Sequence, residues 1–112
     1  MRDFILILKA LANPVRDRIM KLLENGELCV CDIIEVIGLK QSTVSKHLNI
    51  LKIAGLVEDR RDGTWAFYKI SNNKMNEYNL FMNEMMRQVL NEDDCIFRDK
   101  RRFDEKKCCG RK

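Results

Sequence analysis

Cys29 and Cys31 stand one residue apart in the stretch Glu27-Leu28-Cys29-Val30-Cys31-Asp32, and two thiols at that spacing form a chelating pair. Thiolate sulfur selects soft or borderline ions, so the pair suits trivalent arsenic or antimony, As(III) or Sb(III), with Cd(II) or Pb(II) as alternatives, and not Mg or Ca. Trivalent arsenic prefers three thiolates in a pyramid, which asks for one more cysteine. Cys95, Cys108 and Cys109 are all eligible, and spacing does not choose among them. The plain alternatives are that Cys29 and Cys31 are small buried hydrophobes and that Cys108 and Cys109 belong to a reactive but idle tail. An odd total of five cysteines, at i,i+1 and i,i+2 spacings, argues against the disulfide framework of a small secreted domain.

The pair abuts a helix-turn-helix pattern. Asp32 is placed to cap a short helix over about residues 32 to 37, because its side-chain oxygen accepts from the first unpaired backbone N–H groups. Ile33, Val36 and Ile37 face inward, Gly38 ends the helix, and Leu39-Lys40 makes the turn. A second helix starts near Ser42, read as its N-cap, and runs to about Ala54 with Gly55 as its stop. Val44, His47, Leu48 and Leu51 fall on one stripe of it. In such a unit the second helix meets base edges in the major groove. Gln41, Ser42, Thr43, Ser45, Lys46 and His47 begin that helix. Glutamine reads adenine, serine and threonine read several bases, and Lys46 suits phosphate or guanine. Each is equally at home as a solvated helix residue, and His47, on the inward stripe, fits a structural role as well as a DNA contact.

A hairpin follows, with strands over residues 56 to 60 and 65 to 70 joined through Arg61-Asp62-Gly63-Thr64, since Asp-Gly tolerates the positive φ of tight turns. Arg60, Arg61 and Lys69 are placed there to contact phosphates or the minor groove. Helix-turn-helix plus hairpin is the winged-helix arrangement. Ahead of it, a first helix over residues 3 to 12 is apolar on more than one face. Asn13 as N-cap and Pro14 at the first helical position then start another, whose stripe is Val15, Ile19, Leu22 and Leu23. A last long helix, about residues 73 to 90, carries Met75, Tyr78, Met82, Met85 and Val89, widened by Phe81, Met86 and Leu90. So much apolar surface on a small chain points to a homodimer through the first and last helices. The expected fold is mainly α (α+β): a winged helix-turn-helix of about five helices plus a two-stranded β-hairpin wing.

At 112 residues the chain is one domain, read as residues 1–90 for DNA binding and dimerisation and residues 91–112 as a charged, cysteine-containing tail. The tail, with six acidic and eight basic residues, reads as weakly ordered and solvated. Hydrophobic residues make up 46% and charged residues 34%, an ordinary soluble balance. No apolar run is long enough for a membrane span and no secretory signal is visible, so the expected location is cytoplasmic with no membrane partner. From Gly38 to Asn72 six basic residues face three acidic ones, a mild positive bias where nucleic acid would bind.

These motifs together resemble the ArsR/SmtB family of bacterial metal-responsive repressors, over about residues 3 to 90. The resemblance rests on Glu-Leu-Cys-Val-Cys-Asp at 27 to 32, Gln-Ser-Thr-Val-Ser-Lys-His-Leu at 41 to 48 and Ala54-Gly55-Leu56-Val57. Arg60-Arg61-Asp62-Gly63-Thr64-Trp65 with Tyr68-Lys69-Ile70-Ser71 completes it. It implies a homodimeric winged-helix repressor that leaves double-stranded operator DNA when a toxic metal or metalloid binds. Within the family the Cys-Val-Cys pair is similar to the arsenical and cadmium/lead branches, with departures. Arsenical repressors with Cys-Val-Cys-Asp-Leu-Cys carry a third thiol where this chain has Ile34. Cadmium/lead types draw thiols from an N-terminal arm, yet residues 1 to 28 hold no cysteine. The zinc-type site on the last helix needs Asp and His, and residues 73 to 90 contain neither.

The function expected is a DNA-binding transcriptional repressor of a metal(loid)-resistance operon, released by arsenite or antimonite, with no permanent cofactor. A cadmium/lead-responsive repressor and a thiol redox-sensing repressor are the alternatives on the same fold. An enzyme is not expected, because no Cys-x-x-Cys, no βαβ pattern and no acid–base pair stands out. Residues i and i+2 of a regular helix point to nearly opposite sides. One ion is therefore expected to gather Cys29 and Cys31 only if the backbone there bends or unwinds.

Overall fold

The computed structural model describes residues 2–71, 77–91 and 93–105. Helix α1 (Arg2–Leu11) leads into α2 (Pro14–Leu23) through Asn13, whose extended backbone and side-chain oxygen cap α2 at Val15 N (2.9 Å) and Arg16 N (3.4 Å). Strand β1 (Leu28–Cys29) passes directly into α3 (Val30–Ile37), and α4 (Gln41–Ile53) follows the turn at Gly38–Lys40. Strands β2 (Val57–Asp62) and β3 (Trp65–Ile70) form the wing, and α5 (Glu77–Gln88) and α6 (Asp94–Glu105) end the described chain. The start expected for the last long helix, residues 73 to 76 with Met75, lies outside the described residues.

One core joins these elements: Ile7 of α1, Ile19, Met20 and Leu23 of α2, Ile33 and Val36 of α3, Val44, Leu48 and Leu51 of α4, and Leu56 are buried together. Met82 and Met86 of α5 pack into the same core. The apolar face of α5 is therefore split. Met82 and Met86 turn inward, while Tyr78, Phe81, Met85 and Val89 stay exposed, Phe81 at 71%. Phe4 of α1 meets Tyr78 with ring centroids 5.5 Å apart, and Ile5 and Leu8 are also exposed, so the outer faces of α1 and α5 adjoin.

Four details differ from the sequence reading. The wing sheet has three strands in the order β1-β3-β2, all antiparallel, because Leu28 and Cys29 pair with Tyr68 and Phe67. The turn of the wing is the two-residue Gly63-Thr64, so Arg61 and Asp62 belong to β2; Gly63 alone carries positive φ (62°), as the first central position of a type II′ turn requires. Helix α3 begins at Val30 with Cys29 at its N-cap, and Asp32 is therefore not the cap. Asp32 is buried in the first turn, where the field of the helix favours a negative charge. Likewise α4 begins at Gln41 after Lys40, which places Ser42 inside the helix.

A fifth difference is the C-terminal segment. Residues 94–105, expected to be weakly ordered, form α6 and pack on α2 and α3. Asp93 caps it by accepting from Cys95 N at 2.9 Å. Ile96 and Asp99 are buried and Phe103 packs on the core. The Arg18 guanidinium grips Asp99 through Nε (2.7 Å) and an Nη (2.9 Å), a bidentate, charge-assisted pair that offsets the cost of burying both groups. Hence six helices and three strands stand among the described residues.

Asp17 of α2 gives the fold a pH dependence. Its Oδ1 is buried with no hydrogen-bond partner among the described residues. Burial pushes its pKa from the ordinary 3.8 up to about 6, against the opposing effect of Arg16. With the folded value raised, its stability contribution is full below about pH 3.8 and is lost as pH rises through about 6. Asp17→Asn should therefore raise the Tm near neutral pH by about 4 °C, allowing for solvent screening of a partly exposed group. The gain should shrink as melts are taken at lower pH, and a Tm difference independent of pH would contradict the assignment.

Candidate nucleic-acid interface and thiol pair

Helix α4 is anchored by Val44, Leu48 and Leu51, spaced so that the opposite side faces solvent. On that side Gln41, Ser42, Ser45 and Lys46 are exposed and Thr43 is half-buried. His47 is placed otherwise. It is half-buried, and its Nδ1 lies 3.2 Å from an Arg16 guanidinium nitrogen. Arginine only donates, so His47 accepts there as a neutral ring with its proton on Nε2. Burial first, then the positive charges of Arg16 and Lys46, push its pKa down. Arg16 also donates to Ala10 O (2.6 Å) and Lys9 O (3.2 Å), tying the end of α1 to the recognition helix. The structural role of His47 is thus the one its contacts support.

On the wing, Arg61 is exposed in β2. Arg60 is engaged: its Nε and an Nη donate to the Glu27 carboxylate at 2.9 and 2.7 Å, and its guanidinium carbon lies 4.5 Å from the centroid of the Phe67 ring. The hydrogen bond from Arg60 holds the Glu27 carboxyl below its ordinary value. Lys69 pairs with Glu58 at 3.2 Å. Sequence reasoning places Arg60 on DNA and misses Glu27, because their contact depends on β1 joining the sheet.

Cys29 is buried, extended and at the N-cap of α3, whereas Cys31 sits in the first turn of that helix. This change of backbone conformation between them brings the sulfurs to 3.2 Å. Cys29 thus stands outside the regular helix on which the expected bending or unwinding is premised, and the strand-to-helix junction converges the two side chains. With metal–sulfur bonds of about 2.3 Å, two sulfurs on one ion lie roughly 3.3–3.8 Å apart for bond angles from 90° to tetrahedral. The donor set therefore fits a thiophilic ion with a small adjustment. Cys31 is disulfide-bonded in this structure, so ligation by its thiolate belongs to the reduced chain.

The third thiol is not brought to the pair among the described residues, where no three His, Cys, Asp or Glu side chains group as a metal site requires. Cys95 is exposed and lines a separate crevice of about 180 Å³ with Pro14, Asp17, Arg18, Leu90, Asp93 and Ile96. Cys108 and Cys109 lie outside the described residues. Across the sheet, Cys29 of β1, Phe67 of β3 and Arg60 of β2 occupy one row, so the thiol pair and the wing share a ladder. No described helix is long and apolar enough to cross a membrane.

Comparison with known proteins agrees with the winged helix-turn-helix fold. Residues 13–59 match the helix-turn-helix family described as bacterial regulatory protein, arsR family. The chain is 48% identical over 80 residues to an uncharacterised HTH-type transcriptional regulator of Methanocaldococcus jannaschii, covering 70% of this chain and 90% of that one. It is 37% identical over 102 residues to the arsenical resistance operon repressor of Bacillus subtilis, covering 90% and 85% respectively. Among solved structures it is similar to a homodimeric winged helix-turn-helix DNA-binding domain from Mycobacterium bovis, a possible ArsR-family regulator. That likeness has a TM-score of 0.67 at 35% identity and covers 81% of each chain.

Proposed function

Because the chain belongs to the ArsR/SmtB family of DNA-binding transcriptional regulators, we propose that it is the repressor of a metal(loid)-resistance operon, released from its operator when arsenite or antimonite binds Cys29 and Cys31. The observation that carries this reading is the 3.2 Å approach of the two sulfurs at the point where β1 becomes α3. A displacement there passes to the helix supporting α4 by chain continuity and to the wing through the pairing of Cys29 with Phe67. The reducing cytoplasm would keep both thiols available. Titrating the reduced chain with arsenite, with Cd(II) and with peroxide while following operator binding separates the metalloid reading from its cadmium/lead and redox alternatives.

The active form is a homodimer through α1 and α5, whose exposed Phe4, Ile5, Leu8, Phe81 and Met85 form an adjoining apolar face. Two copies of α4 related by a twofold axis enter major grooves roughly 34–36 Å apart, so the operator is an inverted repeat. Affinity then rests on Lys46 and Arg61, and base choice on Gln41, Ser42 and Thr43, with Ser45 beside them. Arg60 contributes only where Glu27 releases it. Lys46→Ala should weaken binding to all sequences alike and flatten the salt slope by about one unit. Thr43→Ala should relax base preference with little change in slope. Identical behaviour of the two variants on true and scrambled operators would show that these roles are wrongly assigned.

A further inference from the structure

We propose that the arginine face of α6 is a second DNA-contacting surface, which clamps the sugar–phosphate backbone flanking the base pairs read by α4. The inference rests on the DNA-binding reading above and concerns a helix outside the helix-turn-helix. Ile96, the ion pair of half-buried Arg18 with buried Asp99, and Phe103 fix α6 on α2 and α3, so its outward side is held in place. Phe97, Arg98, Arg101 and Arg102 line that side, with Phe97 60% exposed. Neither Arg98 nor Arg101 pairs with a carboxylate among the described residues.

Position selects the partner. Arg102 donates to Glu35 O of α3 at 3.0 Å, and its guanidinium nitrogen lies 3.7 Å from where a Cβ on Gly38 would stand. The arginines therefore abut the turn of the helix-turn-helix, beside the exposed Lys40 that precedes α4. The first helix of such a unit crosses the DNA backbone, and α6 is packed directly against that helix. Guanidinium groups bind phosphate oxygens bidentately, whereas they carry no means of reading a base at that distance from the groove. Contacts of this kind add affinity independent of sequence and lengthen the footprint.

The test uses the full chain and duplexes of random sequence, about 16 and about 30 base pairs long, titrated by fluorescence anisotropy between about 50 and 200 mM salt. Arg98→Gln with Arg101→Gln should weaken binding to the longer duplex about tenfold or more and flatten the salt slope by about 0.9 for each phosphate no longer neutralised. The penalty should be much smaller on the short duplex, which ends before the flanks. Arg98→Lys with Arg101→Lys should recover most of the slope, since the charge is retained. A glutamine double variant with wild-type affinity and slope on both duplexes would overturn the proposal. So would a variant that altered only subunit association, since the face would then be a protein contact. A wild-type chain that bound neither duplex would overturn the DNA-binding reading itself, and this inference with it.

Discussion

Lys21→Ala should cost about 3–5 kcal/mol of folding stability, the penalty expected when one member of a buried ion pair is removed. Lys21 has no solvent exposure at all. Its ammonium donates to Glu24 Oε2 (2.7 Å), Met86 O (2.7 Å) and Asn91 Oδ1 (2.8 Å), which uses all three of its protons. The Met86 carbonyl belongs to the last turn of α5, the end of a helix where a cation is favoured. Without the lysine, Glu24 keeps, among the described residues, only Lys100 Nζ at 3.6 Å as a counter-charge. A domain of this size commonly has about 5–15 kcal/mol in total, so the variant would be marginal. Lys21→Met refills most of the volume and so avoids the cavity, but it leaves the Glu24 carboxylate equally unpaired and should still lose about 3 kcal/mol, the low end of that range. Urea midpoints for the two variants measure this directly. Both lying within about 1 kcal/mol of the parent would mean that the lysine does not hold α5 in place. Since α5 carries much of the exposed apolar face, the alanine variant should also show a stronger dependence of Tm on protein concentration.

Local signals in the sequence are reliable where the interaction itself is local. Asn13-Pro14 states its cap and first helical position within two residues, and Val44, Leu48 and Leu51 mark the buried side of α4 by spacing alone. The signals fail where a partner lies far along the chain. Strand β1 is two residues long and exists because Tyr68 and Phe67 pair with it about forty residues later. That pairing sets both the extended conformation at Cys29 and the contact between Glu27 and Arg60, and neither is visible in residues 27 to 32 alone. Helix α6 is hidden for a similar reason. Its inward stripe is Ile96, Asp99 and Phe103, and an aspartate reads as surface until the arginine 81 residues away is known. The same holds for Lys21, which sits among apolar neighbours on α2 and finds its acceptors on the turn after that helix, on α5 and beyond. Of the candidate site, the recognition-helix residues and Arg61 are legible as exposed polar groups, whereas the engagement of His47 and Arg60 is not.

Cys29→Ser and Cys31→Ser should each leave operator binding intact while abolishing release by arsenite. Allosteric coupling commonly amounts to about 1–3 kcal/mol, roughly 5–150-fold in affinity, and that whole factor is what each substitution should erase. Serine keeps the volume and the strand-to-helix junction but offers a hard oxygen in place of a soft sulfur, so the loss is chemical and not a loss of fold. On the proposed mechanism, the 3.2 Å approach of the sulfurs at the strand-to-helix junction means that gathering both thiolates of the reduced chain should need little unwinding of α3, which leaves binding free energy to recruit a third donor. Cys95→Ser should therefore leave the response unchanged, since that side chain lines a different crevice. Cys108→Ser and Cys109→Ser test the remaining donors, and loss of response in one of them identifies the third thiolate. Operator binding measured with and without arsenite on the reduced variants decides the matter. A Cys29→Ser, Cys31→Ser double variant still fully released by arsenite would sink the mechanism and move the sensor away from the junction of β1 and α3.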